Sequence, residues 1–305
     1  MCCVSRWLVA LPLVLVALFG AACNQSADTA LPDPGVPPPE PPDIREVLAA
    51  TTGAGDIKLQ VQVVTHMPPD FDDGVPDRTF GGTGFLDRDK DLAGINYEMS
   101  TVPNSAGYFG QVDREMNVFY LGSEWIVSFP LMAQSLPGRL DWLSYDLETV
   151  AKPKAQKLGI GQLREIGLSD PRLAIALLGG ADALEQGTLT PPPAPEVAPT
   201  PPAPGSPTFL AVADVARAAA AADPGLRRRV RGLQDLGVDS IDLLLYLDEE
   251  GRLATVTYSM SYPPKEGSEP VEMTVTHTFQ KYGLEGGLNA PTGRSVSSFE
   301  EYLGI

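Results

Sequence analysis

The alternation of apolar and polar positions is clearest between Ser240 and Gln280. In its last run, the odd-numbered positions are Val271, Met273, Val275, His277 and Phe279, and polar residues stand between them. A period of two is typical of a β-strand that turns one face to an apolar layer and the other to water. Turns at 248–251 (DEEG) and 263–270 (PPKEGSEP) divide the stretch, which therefore predicts three sequential strands.

Similar strand patterns occur earlier in the chain, and Ile57–Thr65 is the most regular of them. Further strands are predicted at 78–87, 92–99, 115–121, 124–129 and 208–212. Several of the connections are short, such as the turn between Leu121 and Glu124. Sequential strands with short turns predict an antiparallel meander.

Other segments have helix signals. Asp170-Pro171 is typical of a helix start, with an N-cap residue followed by proline at the first helical position. Gly179-Gly180 is predicted to end that helix. Further helices are predicted at 44–51, at 214–222 and from Asp223-Pro224 to near Gly232. Together with the strands, these helices predict an α+β fold.

The first 22 residues have the features of a secretory signal peptide. Arg6 supplies a positive n-region, Trp7–Phe19 an apolar h-region, and small residues precede Cys23. Because the other two cysteines, Cys2 and Cys3, lie in this leader, the mature chain is expected to lack an internal disulfide.

A secreted chain whose one mature cysteine stands at the cleavage point resembles a bacterial lipoprotein. The resemblance implies that Cys23 takes diacylglycerol and becomes the first residue, although Gly20 stands where such proteins usually have leucine. Ordinary cleavage nearby, which would leave a free chain, is the alternative. Residues 24–43 contain seven prolines and predict an extended spacer. We therefore predict a signal peptide at 1–22 and a lipidated, Pro-rich tether at 23–43.

The remaining residues, 44–305, are predicted to form one domain. A second low-complexity stretch at 190–207 contains nine prolines, and the strand patterns before and after it are alike. The stretch is therefore interpreted as an insertion within that domain, not as a linker between two domains.

The formal net charge of −17 argues against binding to nucleic acid, which needs a basic surface. No catalytic motif is found: G-x-S-x-G, the P-loop, H-E-x-x-H and C-x-x-C are all missing. The sequence therefore predicts no catalytic residues, no cofactor and no enzyme activity.

Three weaker signals have two interpretations each. Asp87, Asp89 and Asp91 are spaced like calcium ligands, but Leu92 replaces the glycine of such loops, so a polar hairpin turn and no metal site are predicted. Four arginines at 227–231 either meet anionic lipid headgroups or form a solvated helix face, and the second is favoured. His277 is interpreted as a core residue whose ring nitrogens are hydrogen-bonded. The alternative is that it serves as a ligand or a pH sensor.

The order of elements resembles the LppX/LprG-type lipoproteins of actinobacteria, which share the LolA-like fold. The resemblance is most specific in three segments: 209–214 (FLAVAD), 238–252 (VDSIDLLLYLDEEGR) and 272–283 (EMTVTHTFQKYG). It implies a curved antiparallel half-barrel whose open side is capped by helices. It also implies an apolar cavity between sheet and helices that accepts acyl chains.

From this resemblance and from the strand faces, the chain is predicted to be a cell-envelope lipoprotein that binds lipid or glycolipid, for transport or sensing. It would be anchored through Cys23 on the extracytoplasmic face of the cell membrane. Flexible methionines and Gly81, Gly82 and Gly84 favour a cavity. The predicted lipid-binding residues are Leu59, Val61, Val63, Ile95, Tyr97, Met99, Leu243, Leu245, Met273 and Val275. The alternative is a solid-cored scaffold or sensor module that binds another envelope protein, with 190–207 as its recognition segment.

Overall fold

Twelve strands form one sheet in the part of the chain that the structure, a computed structural model, describes. The described residues are 40–66, 77–99, 115–128, 141–152, 162–187, 208–263, 269–292 and 296–303. The predicted signal peptide, Cys23, most of the tether and the insertion at 190–207 lie outside these ranges. The predictions for those segments remain predictions.

Nine of the twelve strands were predicted from the alternation, and three short strands were not. In chain order the twelve are β1 Asp56–His66, β2 Asp77–Asp87, β3 Leu92–Met99, β4 Glu115–Leu121, β5 Glu124–Ser128, β6 Trp142–Tyr145, β7 Glu185–Gly187, β8 Thr208–Asp214, β9 Ser240–Leu247, β10 Leu253–Tyr262, β11 Val271–Leu284 and β12 Val296–Ser298; β6, β7 and β12 are the three that were not predicted. Their order in the sheet is β12-β6-β5-β4-β3-β2-β1-β11-β10-β9-β8-β7. The strands therefore form two antiparallel meanders, β1 to β6 and β7 to β11, as the short connections predict. The antiparallel pair of β1 and β11 joins the two meanders.

The helices are α1 Ile44–Gly53, α2 Leu147–Ala151, α3 Gln162–Leu168, α4 Pro171–Leu178, α5 Val215–Ala221, α6 Pro224–Asp235 and α7 Phe299–Leu303. The N-cap expected at Asp170 is present and Asp214 also caps a helix, whereas Asp223, at the third predicted start, makes no side-chain cap hydrogen bond. Asp170 accepts a hydrogen bond from the backbone N–H of Arg172 at 3.0 Å, and Asp214 accepts one from Arg217 at 2.7 Å. Each cap satisfies a backbone donor that the first helical turn leaves without a partner.

Alternate residues of the long strands form the core. In β1, the odd-numbered residues from Ile57 to Thr65 are fully buried, and in β11 the odd-numbered residues from Val271 to Phe279 are buried. The apolar residues among them and the apolar residues of α3 to α6 belong to one continuous hydrophobic cluster. We call this side of the sheet the inner face, and the opposite side the outer face.

The aspartate-rich segment at 87–91 is a hairpin turn between β2 and β3, as predicted. Asp87 Oδ1 accepts a hydrogen bond from the backbone N–H of Lys90 at 3.1 Å, and Asp91 adopts a positive φ of 46°. Aspartate tolerates this left-handed conformation better than most residues. Among the described residues, no group of three or more His, Cys, Asp or Glu side chains could hold a metal ion.

Candidate functional site

Strand pairing brings the predicted lipid-binding residues together on the inner face. One transverse row runs Leu243, Tyr258, Val275, Val63, Phe80 and Met99 from β9 to β3. The next row runs Leu245, Val256, His277, Val61, Gly82 and Tyr97. Leu59, Ile95 and Met273 lie on the same face and are also buried. Met99 ends β3, and the description does not extend to its side chain.

Two glycines of β2 are covered by side chains of β3. A Cβ at Gly84 would lie 1.9 Å from the carbonyl oxygen of Gly94, and a Cβ at Gly82 would lie 2.6 Å from that of Asn96. The side chains of Ile95 and Tyr97 also lie within 3 Å of these hypothetical atoms. The room that the glycines provide is therefore filled by protein, so at this place they favour packing over a cavity.

The turn between α3 and α4 lies on the centre of the inner face. The hydroxyl groups of Tyr97 and Ser169 are 2.9 Å apart, and the Tyr97 and Tyr120 hydroxyls are 2.7 Å apart. Tyr258 donates to the carbonyl oxygen of Leu168 at 2.9 Å. All three tyrosines are buried, and burial raises the pKa of each hydroxyl above its usual value. Each tyrosine therefore stays neutral and ties the turn to the sheet.

A buried ion cluster fastens the same turn. Asp170, which is fully buried, accepts hydrogen bonds from the guanidinium groups of Arg172 and Arg229. Arg172 also donates to the carbonyl oxygens of Asp91 at 2.5 Å and Gly122 at 3.1 Å. Burial by itself would raise the pKa of Asp170, but the two guanidinium groups outweigh it and hold the pKa below its usual value. The carboxylate is therefore ionised at neutral pH.

Arg229 was expected on a solvated helix face, and that prediction is wrong. Its guanidinium is fully buried, 5.4 Å from the ring centroids of both Tyr120 and Trp125. It donates to the carbonyl oxygen of Glu124 at 2.7 Å. Arg228 and Arg231 are exposed, as expected. The missed signal is spacing, because Arg229 falls with Leu226, Val230 and Leu233 on one helical stripe.

His277 is a core residue, as predicted, but only one ring nitrogen has a partner. Nε2 lies 3.4 Å from the hydroxyl of Tyr258, and Nδ1 has no hydrogen-bond partner among the described residues. Because the Tyr258 proton goes to Leu168, the Tyr258 oxygen accepts from Nε2–H, which leaves Nδ1 unprotonated. Burial lowers the pKa of His277 to about 3. A proton on Nδ1 would find no acceptor there.

A surface pocket of about 370 Å³ lies away from these residues. It is lined by side chains of the β2–β3 turn, by Leu121 and by the segment after β11, including Leu288 and Asn289. Leu92 and Leu121 belong to the outer face, so this pocket is not the predicted acyl-chain cavity.

Comparisons with known proteins add little to this geometry. No family model matches the chain, and no curated protein matches it. Among solved structures, a LolA superfamily protein from Nitrosomonas europaea matches with 7% sequence identity and a TM-score of 0.30. The match covers 80% of this chain and 93% of that one. A TM-score this low carries no weight for the fold or the function of this chain.

None of the described helices has the length and apolar character needed to cross a membrane. The inner face offers apolar contact surface, with a polar network at its centre. Most polar groups of that network bind other protein groups, although Nε of Arg229 and Nδ1 of His277 have no partner among the described residues. The arrangement is therefore suited to packing and to binding an apolar ligand.

Proposed function

We propose that this chain is a membrane-anchored lipoprotein of the cell envelope, which binds acyl chains of a lipid or glycolipid between the inner face and the helices. The observation that carries the proposal is the convergence of Tyr97 and Tyr258 on one helical turn. Their hydroxyls bind adjacent residues, Ser169 and Leu168, at 2.9 Å each.

This convergence supports a curved sheet. Tyr97 lies on β3 and Tyr258 on β10, which are four strand spacings apart in the sheet order. In a flat sheet four spacings amount to about 19 Å, and side chains that stand perpendicular to it would not meet. A sheet that curves towards α3 and α4 brings them together, which favours a half-barrel capped by helices, with the LolA-like architecture that the sequence predicts.

The acyl chain is proposed to lie against the row of Leu243, Val275 and Val63 and against Met273. All four are fully buried by protein here, so a lipid must displace part of the helical layer. Burial of each CH₂ group contributes about 0.8 kcal/mol, which makes a long acyl chain a competitor for that layer. Methionine side chains adapt to such exchange because their three rotatable bonds permit several shapes. The proposed role needs no bond-making step.

Lipid uptake tests the proposal directly. Native mass spectrometry of the chain purified without its leader, after exposure to mixed phospholipid vesicles, is expected to show a protein with one bound lipid. Val63→Phe, which fills the inner row, should reduce that species, whereas Val64→Phe on the outer face of the same strand should not. If the folded wild type carries no lipid before or after exposure, the proposal fails.

Anchoring has its own test. With Cys23→Ser, the protein is expected to move from the membrane fraction to the soluble fraction of the producing bacterium, because the modified thiol is lost. Cys3→Ser, within the predicted leader, is the matched control and should leave the protein in the membrane fraction. Membrane retention of the Cys23→Ser protein would contradict lipidation at this residue.

A solid-cored module that binds another envelope protein is the second candidate. The ion cluster around Asp170 favours it, because Arg172 and Arg229 bind this carboxylate and also backbone carbonyls near the strand turns, which fastens the helices to the sheet. The lipid-uptake experiment separates the two, since a solid core takes up no lipid.

A further inference from the structure

The centre of the outer face carries an uninterrupted row of uncharged polar side chains. Strand pairing places six of them side by side from β4 to β10: Asn117, Asn96, Thr83, Gln60, Thr278 and Thr255. The row crosses six neighbouring strands without a charge. We call it, with the two rows described next, the hydroxyl–amide face.

Two further rows extend this face towards the end of β1. The first contains Gly81, Gln62, Thr276 and Thr257, and the second contains Thr79, Val64, Thr274 and Ser259. Charges appear at the border, at Glu98, Glu115 and Glu272 on one side and at the paired Lys58 and Lys281 on the other. Gln62 and Thr255 are buried, and the other members of this face are exposed or half-buried. Solvent-facing strand positions normally include charged residues, and charged residues are 20% of this chain. An uncharged area of this size, in a chain of net charge −17, requires an explanation.

The side chains of the hydroxyl–amide face are held in place by each other. Asn96 donates to Asn117 at 2.9 Å, and the hydroxyls of Ser259 and Thr274 are 2.8 Å apart. Thr257 and Thr276 are paired in the same way at 3.0 Å. Each hydroxyl has one hydrogen and two lone pairs, so a paired hydroxyl keeps hydrogen-bonding capacity for a further partner.

Aromatic side chains border this face on β2, β4 and β6. Phe85 is 42% exposed, and it shares the next transverse row with Gly94 and Phe119. Phe119 packs edge-on against Trp142, with ring centroids 5.5 Å apart. The border therefore presents flat apolar surface beside an array of donors and acceptors.

We propose that the hydroxyl–amide face docks a neutral, hydroxyl-rich glycan. Sugar hydroxyls donate and accept like the side chains of this face, and their C–H faces fit the aromatic border. An anionic polymer or a membrane surface needs a cationic field, and the border offers only Lys58 and Lys281 against three glutamates. A second copy of the chain is a poor fit, because the centre of a protein interface is apolar and this face offers only Val64.

Affinity electrophoresis tests this proposal on the full-length protein. Gels would contain dextran, mannan, laminarin or arabinogalactan, and the wild type is expected to be retarded by at least one of them. Gln60→Glu combined with Thr83→Glu should weaken the retarding interaction at least about tenfold, the equivalent of one or two lost hydrogen bonds. The control is Gln186→Glu combined with Gln234→Glu, which adds the same two negative charges at exposed positions outside this face.

Three results would overturn the proposal. They are no retardation of the wild type by any of the four polysaccharides, equal retardation of the double variant, and a dimer in sedimentation that the double variant dissociates. The last result would assign the face to a second copy. The double variant should still take up lipid, so failure here is distinct from failure of the proposed lipid binding.

Discussion

Asp170→Asn is expected to lower the free energy of unfolding by about 3–5 kcal/mol, the usual cost of removing one partner from a buried ion pair. The substitution keeps the shape of the side chain, and asparagine is as good an N-cap residue as aspartate. What it removes is the charge that compensates Arg172 and Arg229, both of which are buried. Asp91 pairs with Arg172 as well, but its side chain is 37% exposed and it cannot replace a buried carboxylate.

Urea unfolding at pH 7, followed by circular dichroism, measures this loss. The midpoint should fall with the slope unchanged, because the unfolded chain exposes the same surface. The matched control is Asp182→Asn, which removes an exposed ion pair with Arg217. Exposed pairs contribute about 0–1 kcal/mol, so this control should stay close to the wild type. Equal stability of the Asp170 and Asp182 variants would show that the cluster does not fasten the helices.

The same cluster explains why Arg229 was misassigned. A run of arginines on a helix usually faces water, and the one local feature that distinguishes Arg229 from Arg228 and Arg231 is its place on the apolar helical stripe. Its burial depends on an acceptor 59 residues away in sequence, Asp170, and on the rings of Tyr120 and Trp125 from the other meander. These partners of Arg229 are tertiary contacts, and the periodicity of the helix sequence does not predict them.

The strands were predicted much better than the contents of the space between sheet and helices. Ile57–Thr65 and the strands after Ser240 combine strict alternation with clear turns, and these signals are local. The short strands β6, β7 and β12 were missed because three or four residues hold too little alternation. β12 also pairs in parallel with β6, which is distant in sequence and invisible to a search for hairpins.

The hydrophobic pattern identifies the inner face but does not determine what packs against it. Alternation correctly places Val61, Tyr97 and Leu245 on one buried face, but an apolar face packs equally well against helices or a lipid. Tyr97 shows that a residue at an inner-face position can also make a polar contact, since its hydroxyl binds Ser169. Likewise, the glycines of β2 were expected to provide room, and side chains of β3 occupy it.

His277→Leu is expected to flatten the dependence of stability on pH between about pH 6.5 and pH 3. Burial lowers the pKa of His277 to about 3, so in this range the unfolded chain binds a proton that the folded chain excludes. The wild type therefore loses up to about 1.4 kcal/mol for each unit that the pH falls through the window, and at most about 5 kcal/mol in total. The protonation of Asp170, whose pKa is lowered, removes stability only below about pH 4 and is the same in both proteins.

Urea unfolding midpoints measured at intervals from pH 7 to pH 4 test this expectation. Leucine has no titrating group and nearly the same volume, and Tyr258 keeps its bond to Leu168, so the variant should fold at pH 7. The chain has only one other histidine, His66, which is kept in both proteins, so its contribution cancels in the comparison. Parallel curves for the wild type and His277→Leu would contradict the expectation, because they would show that His277 takes up its proton in the folded protein. The expectation rests on Nδ1, since a proton there would be buried without a hydrogen-bond partner among the described residues.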